Sequence, residues 1–268
     1  MIDVSIIIVN YRTRGLVKQC LKSLRRAAIN PTYEIFVVDN DGSEGLADLL
    51  REDFPEVKLL EPGRNLGFAV ANNLAMRRAK GRYVLILNPD TEVTPGCVEL
   101  MLAAMEQNPD IGILAPKLVH PDRTRQESVH SFTKPFVPIY RRTPLGRLPW
   151  ARRALDRYFL RHEKFAGPTE VDWAIGAALF VRRKAIDEVG MLDERYFMYF
   201  EDTDWARRFW EKGWKVVYWP EAEIAHYHRR ESADAGWFTG LLRRVTRIHV
   251  TSAVKYFLKW RGRPTPRP

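Results

Sequence analysis

Three short apolar runs in the amino-terminal part of the chain stop abruptly on polar clusters, and this pattern restricts the fold more than any other feature. Val4-Ser5-Ile6-Ile7-Ile8-Val9 ends on Asn10-Tyr11-Arg12. Glu34 to Val38 ends on Asp39-Asn40-Asp41-Gly42-Ser43, and Tyr83-Val84-Leu85-Ile86-Leu87 ends on Asn88-Pro89-Asp90. Runs of this length and composition read as buried strands. Between them, apolar residues recur at helical spacing: Leu16, Val17, Cys20, Leu21 and Leu24, with Thr13 a possible cap; then Leu46, Leu49 and Leu50; then Phe68, Ala71, Leu74, Ala75 and Ala79, closing at Gly81 as the C′ residue. Val57 to Leu60 adds a strand. A helix through Val98, Leu102 and Met105 and a strand from Ile111 to Leu114 complete the series. Such alternation over residues 1–115 predicts βαβ units and a mostly parallel sheet. Ligands of open α/β sheets bind beyond the carboxyl ends of the strands, where the three polar clusters converge.

Asp90 is the most informative member of these clusters. Pro89 cannot donate to a ladder and biases Asn88 to an extended shape, so the carboxylate stands just past the strand end. A carboxylate there suits a hard divalent cation that in turn holds a diphosphate, although an Asx turn or a helix cap would use the same residue. The chain has no P-loop, and the turn after its first strand lacks G-x-G-x-x-G, so no glycine-rich loop cradles phosphate.

Prolines at 116, 121, 135, 138, 144 and 149 argue against long regular elements in residues 116–170, which read as an insertion with a mobile or membrane-facing part; Arg152 to Arg161 could form a short basic helix. From Val171, small residues around Gly176 allow close backbone approach before the apolar strand that ends at Arg182-Arg183. Tyr196 to Phe200 then leads into Glu201-Asp202-Thr203-Asp204, at the start of a helix through Trp205, Arg208 and Phe209. One acid suffices to cap a helix; three beside aromatics raise the pKa of at least one, as a general base requires. Val216 to Trp219 is a further strand. Beyond it, His226 or His228 could give a nitrogen ligand to the cation on Asp90.

Charge is unevenly spread. The net charge is +10, with +8 in residues 229–268, +6 in residues 139–164 and −4 elsewhere. Both basic segments interleave apolar residues, which points to an anionic partner. Trp237, Phe238, Leu241, Leu242, Val245, Ile248, Ser252, Tyr256 and Trp260 keep a helical period between arginines and lysines. That helix suits a membrane interface, packing on the domain, or both. Cys20 and Cys97 lie on apolar helix positions and read as buried thiols. The first residues lack a basic n-region, and no uncharged stretch has the length of a spanning helix, so a cytoplasmic protein is expected.

Taken in order, these segments resemble the glycosyltransferase family 2 enzymes of the GT-A fold, especially their rhamnosyltransferase-like branch. The resemblance runs through Ser5 to Tyr11, Val37 to Asn40, Arg64-Asn65-Leu66-Gly67-Phe68-Ala69, Leu87 to Asp90, Gly176-Ala177 with Arg182-Arg183, and Phe200 to Asp204. It implies an α/β fold with a Rossmann-like central sheet flanked by helices: a catalytic domain over 1–228 (nucleotide-sugar half 1–115, insertion 116–170, acceptor half 171–228) and a basic amphipathic segment over 229–268. Asn88-Pro89-Asp90 matches the family's D-x-D motif with Asn in the first acidic place. The resemblance implies Asp202 as catalytic base. Asn10, Tyr11, Arg12, Asp39, Arg64, Asn65, Gly67, Asn88 and Asp90 would line the nucleotide-sugar pocket. Trp173, Gly176 and Glu201 would lie on the acceptor side, with Asp90 and His226 holding Mg²⁺ or Mn²⁺. The implied reaction is an inverting transfer from a dTDP- or UDP-sugar, dTDP-rhamnose being favoured, to a glycan or polyprenyl-diphosphate-linked acceptor in cell-surface polysaccharide synthesis. The expected location is peripheral, on the inner face of the cell membrane. Other expected partners are an anionic membrane surface and, in a homodimer, a second copy; nucleic acid is not among them. A sugar nucleotidyltransferase is the less favoured enzyme reading, because no glycine-rich phosphate loop is present.

Overall fold

The computed structural model describes residues 1–42, 45–227 and 244–267. In chain order the elements are β1 (Val4–Asn10), α1 (Arg14–Arg26), β2 (Tyr33–Asp39), α2 (Leu46–Asp53), β3 (Lys58–Leu60), α3 (Gly67–Met76), β4 (Tyr83–Leu87), β5 (Thr91–Val93), α4 (Cys97–Gln107) and β6 (Ile111–Val119). Then come β7 (Val129–His130), α5 (Val137–Arg142), a 3₁₀ turn (Pro144–Arg147), α6 (Pro149–Tyr158), β8 (Thr169–Glu170), β9 (Trp173–Ala174), β10 (Ala178–Arg182), α7 (Arg183–Val189), α8 (Glu201–Glu211), β11 (Lys215–His226) and α9 (Arg244–Lys259).

The main sheet runs β3-β2-β1-β4-β10-β6-β11-β5, with β8 paired to β11. Its first four strands are parallel. β10 then inserts antiparallel between β4 and β6, β11 runs parallel to β6, and β5 closes the edge antiparallel to β11, so the parallel order belongs to the amino-terminal half and the whole sheet is mixed. Both faces are covered, which explains the unbroken apolar strands. Val4, Ile6 and Ile8 face the helices α1, α2 and α4, whereas Ile7 faces α3, α7 and α8.

Several local expectations are corrected. α3 ends at Met76, and Gly81 is a packing glycine rather than a C′ residue: a Cβ there would stand 2.5 Å from the Ser5 backbone nitrogen. Thr13 does not cap α1 through its side chain; its hydroxyl hydrogen-bonds to Asn10 Oδ1 at 3.0 Å. β6 passes straight through Pro116, which lies opposite Trp219 where β11 has a register shift, so the missing N–H leaves no gap in a regular ladder. The insertion contains α5 and α6, and β11 is one long strand where only Val216 to Trp219 was expected. Arg182 and Arg183 serve the fold: Arg182 donates to the carbonyls of Met105, Asn108 and Ile111, and Arg183 to those of Met76, Ala79 and Gly81.

α9 lies against α8 and the turn before it. Tyr256 and Trp260 pack with Tyr196 and Phe200, while Val250, Val254 and Leu258 remain exposed on the outward face. The fixed point is Asp204, fully buried, which accepts from Arg208 Nε (2.9 Å), Lys259 Nζ (2.8 Å) and Trp260 Nε1 (2.9 Å). The third acid of the cluster is therefore a structural anchor and not a helix cap. Residues 228–243, including His228 and the first turns of the expected carboxyl-terminal helix, lie outside the described residues, as does Ser43. Among the described residues no helix is long and apolar enough to cross a membrane.

Removing one partner of a buried ion pair leaves uncompensated charge and costs about 3–5 kcal/mol. Asp204→Ala takes the buried carboxylate from Arg208, Lys259 and Trp260 and leaves Lys259 with Asp193 alone, so a loss toward the lower end of that range, about 3 kcal/mol, is expected in urea unfolding. A loss under about 1 kcal/mol would mean that α9 is held by other contacts.

Candidate active site

The cleft forms where β1, β2 and β4 end. Register aligns the tips: Asn10 of β1 lies opposite Asp39 of β2, and Asn10 Nδ2 donates to Asp39 Oδ1 at 2.9 Å. Asn10 also accepts from Thr13 N–H, so it braces the floor while Asp39 Oδ2 keeps no hydrogen-bond partner among the described residues. Tyr11 and Arg12 stand exposed at the rim, with Arg12 paired to Asp41 at 3.2 Å. Asn40, part of the polar cluster but given no role in the sequence reading, joins this tip to the next loop. Its Nδ2 donates to Asn65 Oδ1 (3.0 Å) and its Oδ1 accepts from Leu66 N–H (2.7 Å). Asn65 in turn accepts from Gly67 N–H. Gly67 has φ of +79°, and a Cβ there would meet the Phe197 carbonyl at 2.3 Å, so only glycine fits. Arg64 is exposed beside this loop.

The cation pair proposed from sequence is brought together. β11 pairs with β5 so that His226 lies opposite Thr91, which sets His226 Nε2 3.4 Å from Asp90 Oδ1. Gln126 fixes the imidazole. Its Nε2 donates to the His226 carbonyl at 2.6 Å and lies within 3.3 Å of the Val119 carbonyl, so its Oε1 faces His226 Nδ1 at 2.9 Å. An amide oxygen only accepts, so Nδ1 carries a proton. Nε2 is the ring nitrogen that faces the Asp90 carboxylate and could join it in holding a cation. The donor set, one carboxylate and one imidazole with its tautomer fixed, suits a divalent ion completed by phosphate oxygens. Among the described residues no group of three or more His, Cys, Asp or Glu side chains forms a closed metal site. An open pocket of about 290 Å³ adjoins Asp90, walled by Gln19, Lys22 and Arg26 of α1. Cys20 is buried below it, with its thiol pushed up to about 12 by burial.

A short backbone path links this centre to the second acid site. Asn88 N–H donates to the Ala177 carbonyl at 2.9 Å, and the adjoining Gly176 N–H donates to Asp202 Oδ2 at 3.1 Å. A Cβ on Gly176 would press on the Phe68 ring at 3.1 Å, which accounts for the small residue. Asp202 Oδ1 accepts from Thr203 N–H at 2.7 Å in the first turn of α8, where negative charge is favoured. Burial nevertheless raises the Asp202 carboxyl to about 6, against the opposing pull of the Thr203 and Gly176 N–H groups. Glu201 is also raised, first by burial and then by the charge of Asp202, and its Oε2 has no hydrogen-bond partner among the described residues. Two neighbouring carboxyls thus differ in surroundings: burial and the adjoining charge favour the protonated form of Glu201, while Asp202 keeps two backbone N–H groups that favour its ionised form.

Asp202 is held by a strained turn. Tyr199 and Phe200 have φ of 70° and 69°, a conformation costly for side chains of this size. α9 keeps it in place: His249 packs on both rings, Tyr256 lies 5.2 Å from Phe200, and Ser252 Oγ donates to the Met198 carbonyl at 2.9 Å. Trp173, expected on the acceptor side, sits in the apolar core. It is buried against His130, and its Nε1 donates to the Ser131 carbonyl at 3.0 Å.

Residues 5–190 match the family model described as Glycosyl transferase family 2. The chain is 31% identical over 246 residues to an N-acetylglucosaminyl-diphospho-decaprenol L-rhamnosyltransferase of Mycobacterium tuberculosis, covering 83% of this chain and 75% of the relative. It is 27% identical over 210 residues to a low-salt glycan biosynthesis hexosyltransferase of Haloferax volcanii, covering 77% and 61%. Among solved structures, a mannosyltransferase from Pyrobaculum calidifontis in complex with GDP-Man and Mn²⁺ superposes with a TM-score of 0.62 at 16% identity, over 98% of this chain and 66% of that one. GalNAc-T7 with UDP, GalNAc and Mn²⁺ superposes with a TM-score of 0.68 at 16% identity, over 98% of this chain and 49% of that one. These likenesses establish the GT-A fold.

Loss of an outer partner of a metal-binding histidine typically costs 10–100-fold in metal affinity. Gln126→Leu is therefore expected to weaken Mn²⁺ binding, followed by calorimetry with a nucleoside diphosphate present, by about 10-fold or more. Unchanged affinity would remove His226 from the ion's surroundings.

Proposed function

The chain belongs to glycosyltransferase family 2 and is a glycosyltransferase, and from that premise we propose that it inverts the anomeric centre of a nucleoside-diphosphate sugar while transferring the sugar to a hydroxyl of a lipid-linked glycan. The observation that carries this reading is the pairing of two differently tuned acid centres across one backbone path, Asp90 with His226 and Asp202 with Gly176. The donor favoured is dTDP-rhamnose, on the likeness to a rhamnosyltransferase, with a UDP-sugar as the alternative.

Asp202 acts as general base. With its carboxyl raised to about 6 by burial, it is ionised at neutral pH yet basic enough to take the proton of an attacking hydroxyl. The Gly176 and Thr203 N–H groups fix the direction of its two oxygens. The neighbouring Glu201 is buried, and burial with the charge of Asp202 favours its protonated form. Asp39 Oδ2 and the exposed Tyr11, Arg12 and Arg64 are placed to receive base, ribose and phosphate of the donor. Asn65 and Gly67 form the adjoining loop, and Asn88 lends the first motif position a neutral amide. A Mg²⁺ or Mn²⁺ ion held by Asp90 and His226 would offset the charge growing on the departing diphosphate.

The insertion supports a membrane location for the acceptor. Residues 131–155 carry six Lys or Arg and no acid, and Phe136, Ile139, Leu145, Leu148 and Trp150 are exposed among them. A basic apolar surface of this kind suits an anionic bilayer.

Purified protein with dTDP-rhamnose or UDP-sugars and a lipid-diphosphate sugar acceptor should release nucleoside diphosphate; Asp202→Asn should abolish release while donor binding persists. A base works only when deprotonated, so kcat/KM should rise with pH through about 6 and level off above it. Turnover retained in Asp202→Asn would sink the assignment of the base. Sedimentation with phosphatidylglycerol vesicles tests the membrane surface: Trp150→Glu is expected to leave the protein in the supernatant, and undiminished pelleting would exclude that surface.

A further inference from the structure

An open pocket of about 340 Å³ lies between Phe197 and the first three turns of α9, and Ser252, which braces the turn before Asp202, is on its wall. Arg244, Arg247 and Lys255 line it together with Thr251, and no acid is among the lining residues. Lys255 is oriented by donating to the Arg195 carbonyl at 2.7 Å, a contact that leaves its charge unneutralised. Arg244 and Arg247 are exposed and make no ion pair with a described carboxylate. Three cations converging on a concave surface, with no carboxylate among the described lining residues, are poised for a polyanion.

The position narrows the ligand. Phe197 is the wall between this pocket and the cleft: its carbonyl accepts from Phe68 N–H at 2.7 Å, and the Phe68 ring adjoins Gly176, which holds Asp202. Through these contacts Phe197 connects the pocket to the groups that hold the general base, whereas Asp90 and His226 sit at the end of β4 and β11. Resting on the reading of an acceptor linked to a lipid diphosphate, we propose that Arg244, Arg247 and Lys255 bind the acceptor's diphosphate and so present its sugar hydroxyl to Asp202. The chemistry recognised is a phosphate-bearing anion; a bilayer headgroup could supply the same group, and the test separates the two.

Arg244→Gln/Arg247→Gln changes two exposed side chains and should leave folding intact, checked by an unshifted thermal transition. Charge-assisted hydrogen bonds of about 1.5–3 kcal/mol correspond to about 10-fold or more per contact. Farnesyl diphosphate, titrated calorimetrically without membrane, should bind the wild type at least about 10-fold tighter than the double variant. In transfer assays, KM should rise similarly for a prenyl-diphosphate-linked sugar but stay within about twofold for the same sugar on a neutral alkyl chain. Donor KM should not move. Equal farnesyl diphosphate affinity, or a rise in donor KM, overturns the proposal. If only binding to phosphatidylglycerol vesicles is lost, the pocket reads headgroups and the acceptor assignment falls. A wild type that binds farnesyl diphosphate through these arginines yet transfers no sugar would count against the proposed reaction, not against the pocket.

Discussion

One buried carboxylate organises the carboxyl-terminal half of the molecule. Asp204 draws Arg208 from its own helix and Lys259 and Trp260 from α9 onto a single point inside the protein. Buried charge is tolerable only when it is paired, so this contact either forms completely or costs heavily. Because it forms, α9 lies along the turn that precedes the catalytic helix, and its side chains hold Tyr199 and Phe200 in a backbone shape that they would not adopt alone. Asp202 follows that turn directly. The position of the base is thus set by a helix more than 40 residues further along the chain.

The same economy separates the two neighbouring acids. Glu201 is enclosed, which favours its protonated form; Asp202 takes two backbone N–H groups, and burial raises its carboxyl to about 6. Asp90, a strand-end carboxylate, meets an imidazole whose tautomer Gln126 dictates. Chemistry is divided by surroundings and not by residue type: one carboxylate is prepared for a cation, one for a proton, and one for holding the frame.

Much of this was legible in the sequence, for identifiable reasons. Strands that end in polar clusters are local signals, so β1, β2 and β4 and their tips could be read from composition alone. The sharing of work within Glu201-Asp202-Thr203-Asp204 could not, because Asp204 is answered by Lys259 and Trp260, and spacing carries no trace of such a distant contact. Gln126 escaped for a related reason: an isolated glutamine has no pattern, and its value comes only from β11 bringing His226 beside it. The mixed half of the sheet was obscured by β10, whose five apolar residues look the same whether the strand runs parallel or antiparallel. Pro116 misled because a proline-tolerant register shift belongs to the partner strand, not to β6 itself.

The division between Glu201 and Asp202 is the centre of this picture, and it is open to direct observation. Carboxyl ¹³C resonances, assigned through Asp202→Asn and Glu201→Gln, can be followed across the acid range in the intact protein. Asp202 should titrate near 6 while Glu201 stays protonated well above the ordinary carboxyl value. Titration of Asp202 near about 4, or ionisation of Glu201 first, would contradict the assignment of base and silent neighbour.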